Sequence, residues 1–162
     1  MTLALGIDPG TATTGYGLVR LMPDGELVAV SFGVISTPKD ENPSVRLEML
    51  FNELNKLLKK FKPETAAVEK LFFSQNVSTG IAVGQARGVI LLALQKAGIE
   101  TFEYSPNEVK QAVAGYGHAE KRQMQEMVRA LLQLEKIPKP DDAADALAIA
   151  ITHLNTARYD SM

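Results

Sequence analysis

At 162 residues with 46% hydrophobic side chains, the chain is large enough for one domain with a real core and too apolar for a disordered tract. It contains no cysteine, which excludes disulfides, thiolate catalysis and cysteine-ligated zinc. A formal net charge of -2 and a pI of about 5.7 do not describe a simple polycation that binds nucleic acid. The total says nothing, however, about whether one face is basic. With no leader-like segment and no long uncharged apolar stretch, a cytoplasmic protein without a membrane span is the default expectation.

Residues Thr2 to Ile7 read as a buried strand that runs into Asp8 and is stopped by Pro9-Gly10. Gly15 to Leu21 reads as a second strand, Pro23-Asp24-Gly25 as a turn, and Glu26 to Ile35 as a third strand, so short connections predict an antiparallel meander. Ser44 is the expected N-cap of a helix carrying Leu47, Leu50, Phe51, Leu54, Leu57, Leu58 and Phe61, closed by Pro63. Thr65 to Glu69 is a short β run, followed by a helix over about Val77 to Ala97. In that helix Gly80, Gly84 and Gly88 recur every fourth residue, which predicts close approach of another element or of a second chain.

Ile99 to Tyr104 is a fifth strand, and Ser105-Pro106-Asn107-Glu108 starts a helix with serine at the cap. Gly115-Tyr116-Gly117 breaks it. Glu120 to Leu134 and Asp141 to Asn155 complete the helices, the last one entered through Pro138 and Pro140. The order β-β-β-α-β-α-β-α-α-α predicts a mixed sheet with helices on both faces. No repeat or linker divides it, so residues 1–162 form a single domain.

Four acids stand at element ends. Asp8 follows the first strand, where open α/β sheets place their ligands; Glu69 ends the fourth, and Asp142 and Asp145 open the last helix three residues apart on one face. Helix-dipole chemistry accounts for Asp141. It accounts less well for Asp145, whose helix is apolar through Ala144, Leu147, Ala148 and Ile151. A carboxylate at a core edge calls for a cation. Hard divalent ions take such oxygens, and a pair of them serving an in-line phosphoryl displacement calls for about four acids.

The segments Gly6-Ile7-Asp8-Pro9-Gly10, Thr14-Gly15-Tyr16-Gly17, Val68-Glu69, Gly84-Gln85-Ala86-Arg87-Gly88, Val109-Lys110-Gln111, Ala119-Glu120-Lys121 and the stretch from Asp142 to Ala150 closely resemble the RuvC family of bacterial Holliday-junction resolvases. The resemblance runs in order through nearly the whole chain. It implies an RNase H-like α/β fold: a mixed five-stranded sheet, three antiparallel strands then two parallel ones, flanked by helices on both faces. It further implies a homodimer that uses Mg²⁺ to nick two symmetric strands of four-way junction DNA. Two ions per site are expected, with Mn²⁺ as a substitute and a branch-migration motor as partner. Its catalytic, metal-binding acids fall on Asp8, Glu69, Asp142 and Asp145; a one-residue slip would exchange Asp142 for Asp141.

The adjacent Phe72 and Phe73 follow the Glu69 strand in a polar loop. Core packing is the ordinary fate of phenylalanine, whereas an exposed pair can stack on or wedge between bases. The resemblance assigns the wedge to Phe72 and leaves Phe73 open. It also places DNA contacts on Lys110 and Lys121, with Arg87 and Arg122 as weaker candidates. His118 and His153 fall outside the acidic motifs and are expected at the surface or in a cap. An actin-like ATPase would need a second duplicated domain, which this length does not hold. A non-catalytic DNA-structure binder, or another nuclease of the same fold, is the competing reading.

Overall fold

The computed structural model describes residues 2–70 and 77–160, with side chains to 157. Its elements are β1 (Thr2–Asp8), β2 (Thr13–Leu21), β3 (Leu27–Ser36), α1 (Pro43–Phe61), β4 (Thr65–Glu69), α2 (Val77–Lys96), β5 (Glu100–Tyr104), α3 (Pro106–Ala114), α4 (Lys121–Leu131) and α5 (Asp141–Asp160). The five strands form one sheet in the order β3-β2-β1-β4-β5. β1, β2 and β3 pair antiparallel, while β4 lies parallel to both β1 and β5. β1 is therefore central, and its C-terminal end lies beside that of β4.

Side-chain alternation divides the core in two. On one face Leu3, Leu5 and Ile7 of β1 and Ala66 and Val68 of β4 pack against Leu50, Leu54 and Leu58 of α1 and Ile90, Ala93 and Leu94 of α2. On the other face Ala4 and Ala67 meet Leu147, Ala148 and Ile151 of α5, with Val109 and Val113 of α3 and Val128 of α4. Successive strand residues point to opposite faces. Asp8 thus shares the α5 face with Ala4 and Gly6, and Glu69 shares it with Ala67.

Glycines bring α5 down onto this face. A Cβ on Gly6 would lie 2.1 Å from the Ala146 carbonyl oxygen, one on Gly15 would lie 2.0 Å from that of Asp142, and one on Gly17 would lie 2.8 Å from the backbone nitrogen of Leu147. These are backbone atoms that cannot turn aside. The helix answers with small buried residues, Ala143, Ala144, Ala146 and Ala150. The glycine spacing in α2 has a different meaning. Gly80 is buried, but Gly88 is exposed and a Cβ there would meet nothing within 4 Å. Within the chain, the close backbone approach is seen along β1 and β2, while Gly88 of α2 faces open space.

Four other expectations are corrected. Ser44 is not the cap of α1: the helix starts at Pro43 with Asn42 at the N-cap and no side-chain capping bond, because proline already holds the helical φ at its first position. α5 runs on to Asp160 instead of ending at Asn155. His153 is neither superficial nor a cap. It is 4% exposed, with Nε2 2.7 Å from the Thr65 hydroxyl oxygen and Nδ1 2.8 Å from that of Tyr104. Burial pulls its pKa down, against the opposing pull of Glu100, so the imidazole is neutral and fastens α5 to β4 and β5. The capping box of Ser105 and Glu108 opens α3 as its sequence predicts, whereas α4 ends at Leu131, short of the expected Leu134.

α2 has a mean hydropathy of 1.5 and is long and apolar enough by composition to cross a membrane. In this fold Ala86, Ile90, Ala93 and Leu94 are buried, whereas Val77 (67% exposed), Ile81 (55%) and Leu92 (54%) lie on its open side.

Candidate active site

Three acids from two distant parts of the chain meet at the end of β1. One carboxyl oxygen from each of Asp8, Asp142 and Asp145 lies within 4.8 Å of the others. The gathering follows from local geometry: Asp8 terminates the α5-facing row of β1, the glycines lower the helix onto that row, and the three-residue spacing puts Asp142 and Asp145 on one side of the first turns. Asp141 points elsewhere. Its carboxylate accepts from Gln125 Nε2 at 3.2 Å and faces the ammonium groups of Lys121 at 3.5 Å and Lys139 at 3.8 Å.

Glu69 stands beside this trio. It shares a cavity of about 180 Å³ with Asp8, Lys70 and Arg87, and another of about 270 Å³ with Asp145, Lys110 and Lys121. Val109, Met124 and Ala148 give the larger cavity an apolar floor. Lys110 and Lys121, from α3 and the first turn of α4, therefore open into one space with two of the acids. The Lys121 ammonium lies 3.9 Å from Asp145 Oδ2. Phe72 and Phe73 lie outside the described residues.

The electrostatics are those of crowded anions. Asp8 is pushed up from 3.8 to about 8, first by burial and then by the negative charges of Glu69, Asp145 and Asp142. In its protonated form it donates a hydrogen bond to Asp145. Glu69 is raised by burial and by Asp145, with Lys110 pulling the other way. Burial also raises Asp145, against the attraction of Lys121, while Asp142 and Asp141 add to the rise. The Lys121 ammonium is stabilised chiefly by Asp145. A set of hard oxygen donors that repel one another so strongly fits a small divalent cation, which would remove the repulsion.

Arg87 was a weaker phosphate candidate by sequence, and the structure commits it elsewhere. Its guanidinium pairs with the Glu103 carboxylate and donates from Nε to the Glu69 carbonyl oxygen at 3.4 Å. Arg122 is paired with Glu126 at 3.3 Å on the outer side of α4. What the sequence reading missed was strand parity. Ala4-Gly6-Asp8 and Ala67-Glu69 each place small residues and then an acid on one face, which already points both acids at the same covering element.

A mixed five-stranded sheet with helices on both faces, and acids meeting at the end of its central strand, is an RNase H-like architecture with a site suited to a divalent cation. A family model described as crossover junction endodeoxyribonuclease RuvC matches residues 4–153. The crossover junction endodeoxyribonuclease RuvC of Chloroflexus aggregans is 58% identical over 154 residues, covering 95% of this chain and 93% of that one. Thermus thermophilus RuvC in complex with Holliday junction substrate matches with a TM-score of 0.94 at 37% identity, covering 99% of this chain and 97% of that one. The yeast mitochondrial Holliday junction resolvase, with a TM-score of 0.69 at 17% identity over 99% of this chain and 86% of that one, shares the fold. The chain belongs to the RuvC family of crossover junction endodeoxyribonucleases.

Proposed function

We propose that this chain resolves four-way DNA junctions in recombination and repair by nicking two symmetric strands, with Asp8, Glu69, Asp142 and Asp145 holding two Mg²⁺ ions. Mn²⁺ is an acceptable substitute on the same oxygens. The observation that carries this reading is the approach of the Asp8, Asp142 and Asp145 carboxyl oxygens to within 4.8 Å of one another. Bound there, divalent cations supply positive charge to the attacked phosphate and make water a better nucleophile. Asp8, the acid most crowded by the others, would contribute most to holding the cations. Glu69 and Asp145 each serve one ion or orient the water, and Asp142 completes the set.

A mobile four-way junction incubated with the protein and Mg²⁺ tests this directly. Paired nicks that a ligase seals, and that disappear on chelation, are the expected product. Junction retained on the protein without nicks would favour the non-catalytic DNA-structure binder.

Lys110 and Lys121 contact backbone phosphate as the strand enters the cavity they share with Glu69 and Asp145. Each such contact contributes a slope of about 0.9 in log affinity against log salt. The double variant Lys110→Ala/Lys121→Ala should lower that slope by about 2. A salt titration with an unchanged slope would remove both lysines from the interface. Phe72 opens the junction by entering the base stack.

Symmetric nicking calls for two sites, and the open side of α2 supports a homodimer. Val77, Ile81, Gly88 and Leu92 recur at helical spacing and are all exposed. Gly88 lets a second helix come close. Ile81→Glu should give a monomer by light scattering, with single unpaired nicks at a much reduced rate; a stable dimer would move the interface elsewhere. The protein works in the cytoplasm, and family resemblance implies a branch-migration motor as its partner.

A further inference from the structure

We propose that Arg87 is a positioning residue that clamps the peptide unit of Glu69. At this point the parallel ladder runs out of donors. β1 passes from Asp8 into Pro9, and β5 passes from Tyr104 through Ser105 into Pro106. Neither proline carries an N–H, and the Ser105 N–H is engaged by Glu108 Oε1 at 2.9 Å. The peptide joining Glu69 to Lys70 is nevertheless held from both sides. Its N–H donates to the Tyr104 carbonyl at 2.9 Å, and its carbonyl receives Arg87 Nε at 3.4 Å.

The same guanidinium is fixed by Glu103 of β5, and the Arg87 side chain is only 15% exposed. Arg87 thereby ties α2 to the ends of β4 and β5, and it lines the cavity that also holds Asp8 and Glu69. A planar fork can serve a carboxylate and a carbonyl together, whereas an ammonium on a flexible stem cannot hold that geometry. The inference rests on Glu69 belonging to the catalytic set. A carboxylate held slightly out of place loses rate more than it loses substrate binding.

The test uses the full chain with Arg87→Lys, Glu103→Gln, the double variant, and Glu69→Gln as control. For Arg87→Lys we expect a single-turnover nicking rate at saturating junction lowered by roughly 10- to 100-fold. Junction affinity and its salt slope should stay as in the parent chain, and Mn²⁺ affinity without DNA, read by electron paramagnetic resonance, should fall several-fold. Glu103→Gln should show the same pattern more mildly, and the double variant should be no worse than Arg87→Lys, since both act through one clamp. Should Arg87→Lys not fold, Glu103→Gln alone carries the comparison. A salt slope lowered by about 1 with the rate intact would make Arg87 a phosphate contact and overturn the clamp. Unchanged rate and Mn²⁺ affinity in a folded variant would overturn it as well. A Glu69→Gln chain that still nicks junctions would instead overturn the catalytic reading of Glu69 itself.

Discussion

Asp8→Asn should abolish junction nicking and, at the same time, stabilise the metal-free protein. Removing one of the shared oxygen donors forfeits several kcal/mol of charge stabilisation in the transition state, a loss of roughly 10³-fold or more in rate. The stability effect has the opposite direction because Asp8 is the group most penalised by its surroundings, raised from 3.8 to about 8 by burial and by Glu69, Asp145 and Asp142. An acid whose folded pKa is raised costs nothing below its ordinary pKa, where both states are protonated. As pH climbs from about 4 to about 8 the unfolded chain gives up this proton and the folded chain keeps it, so stability declines across that window.

Asparagine carries no proton to lose. The variant should therefore match the parent near pH 4 and exceed it at pH 8 by an amount on the order of 2–4 kcal/mol, which is roughly 4–16 °C in Tm for a chain of this size. Mg²⁺ should raise the Tm of the parent by mass action and leave the variant nearly unmoved. Thermal melts at the two pH values, with and without Mg²⁺, decide the matter. Equal melting at pH 8 would mean that the acids do not repel one another as their spacing implies. Retained nicking would remove Asp8 from the catalytic set.

Gly15→Ala should be among the most damaging single-methyl changes in the molecule. The added carbon would sit 2.0 Å from the carbonyl oxygen of Asp142, a backbone atom at the start of α5. Relief requires the helix to rise from the sheet, carrying Asp142 and Asp145 away from Asp8. Overpacking of this kind costs about 3 kcal/mol, or roughly 6–12 °C in Tm, and the displaced carboxylates should lose both Mg²⁺-induced stabilisation and nicking. The same substitution at Gly88, made in the monomeric Ile81→Glu background so that no second chain faces it, should have the opposite sign. It lies inside a helix with nothing within 4 Å of its missing Cβ, so alanine should add about 0.5–1 kcal/mol to the fold. Equal effects at the two sites, in a paired melt, would show that helix-to-sheet distance is not what Gly15 protects.

Much of this architecture was legible along the chain because its signals are local. Thr65–Glu69 has the limits its sequence predicts, since a short apolar run bounded by Pro63 and a polar loop has few alternatives. The meander of the first three strands followed from the Pro23-Asp24-Gly25 turn, and α3 followed from the Ser105 cap. Local reading failed where a residue's fate depends on what covers it. His153 looked like a surface residue on a late helix turn. It is buried because Thr65 and Tyr104, both remote in sequence, present hydroxyls to its two ring nitrogens. The start of α1 was misplaced for a smaller reason: Ser44 is a good cap, but Pro43 had already set the helical backbone.

The candidate site divides along the same line. The four acids could be picked out one by one, because each interrupts an apolar pattern at an element end. That Asp142 and not Asp141 joins Asp8, that Lys110 and Lys121 open into the space beside Glu69, and that Arg87 faces Glu103 were all decided by tertiary structure. Period and turn chemistry are properties of neighbouring residues, so the order and type of the elements were written in the sequence alone. Convergence of side chains depends on how closely a helix can settle on a sheet. That distance is set by the hydrogen atoms of Gly6 and Gly15 against a backbone far along the chain, a contact that exists only once the protein has folded.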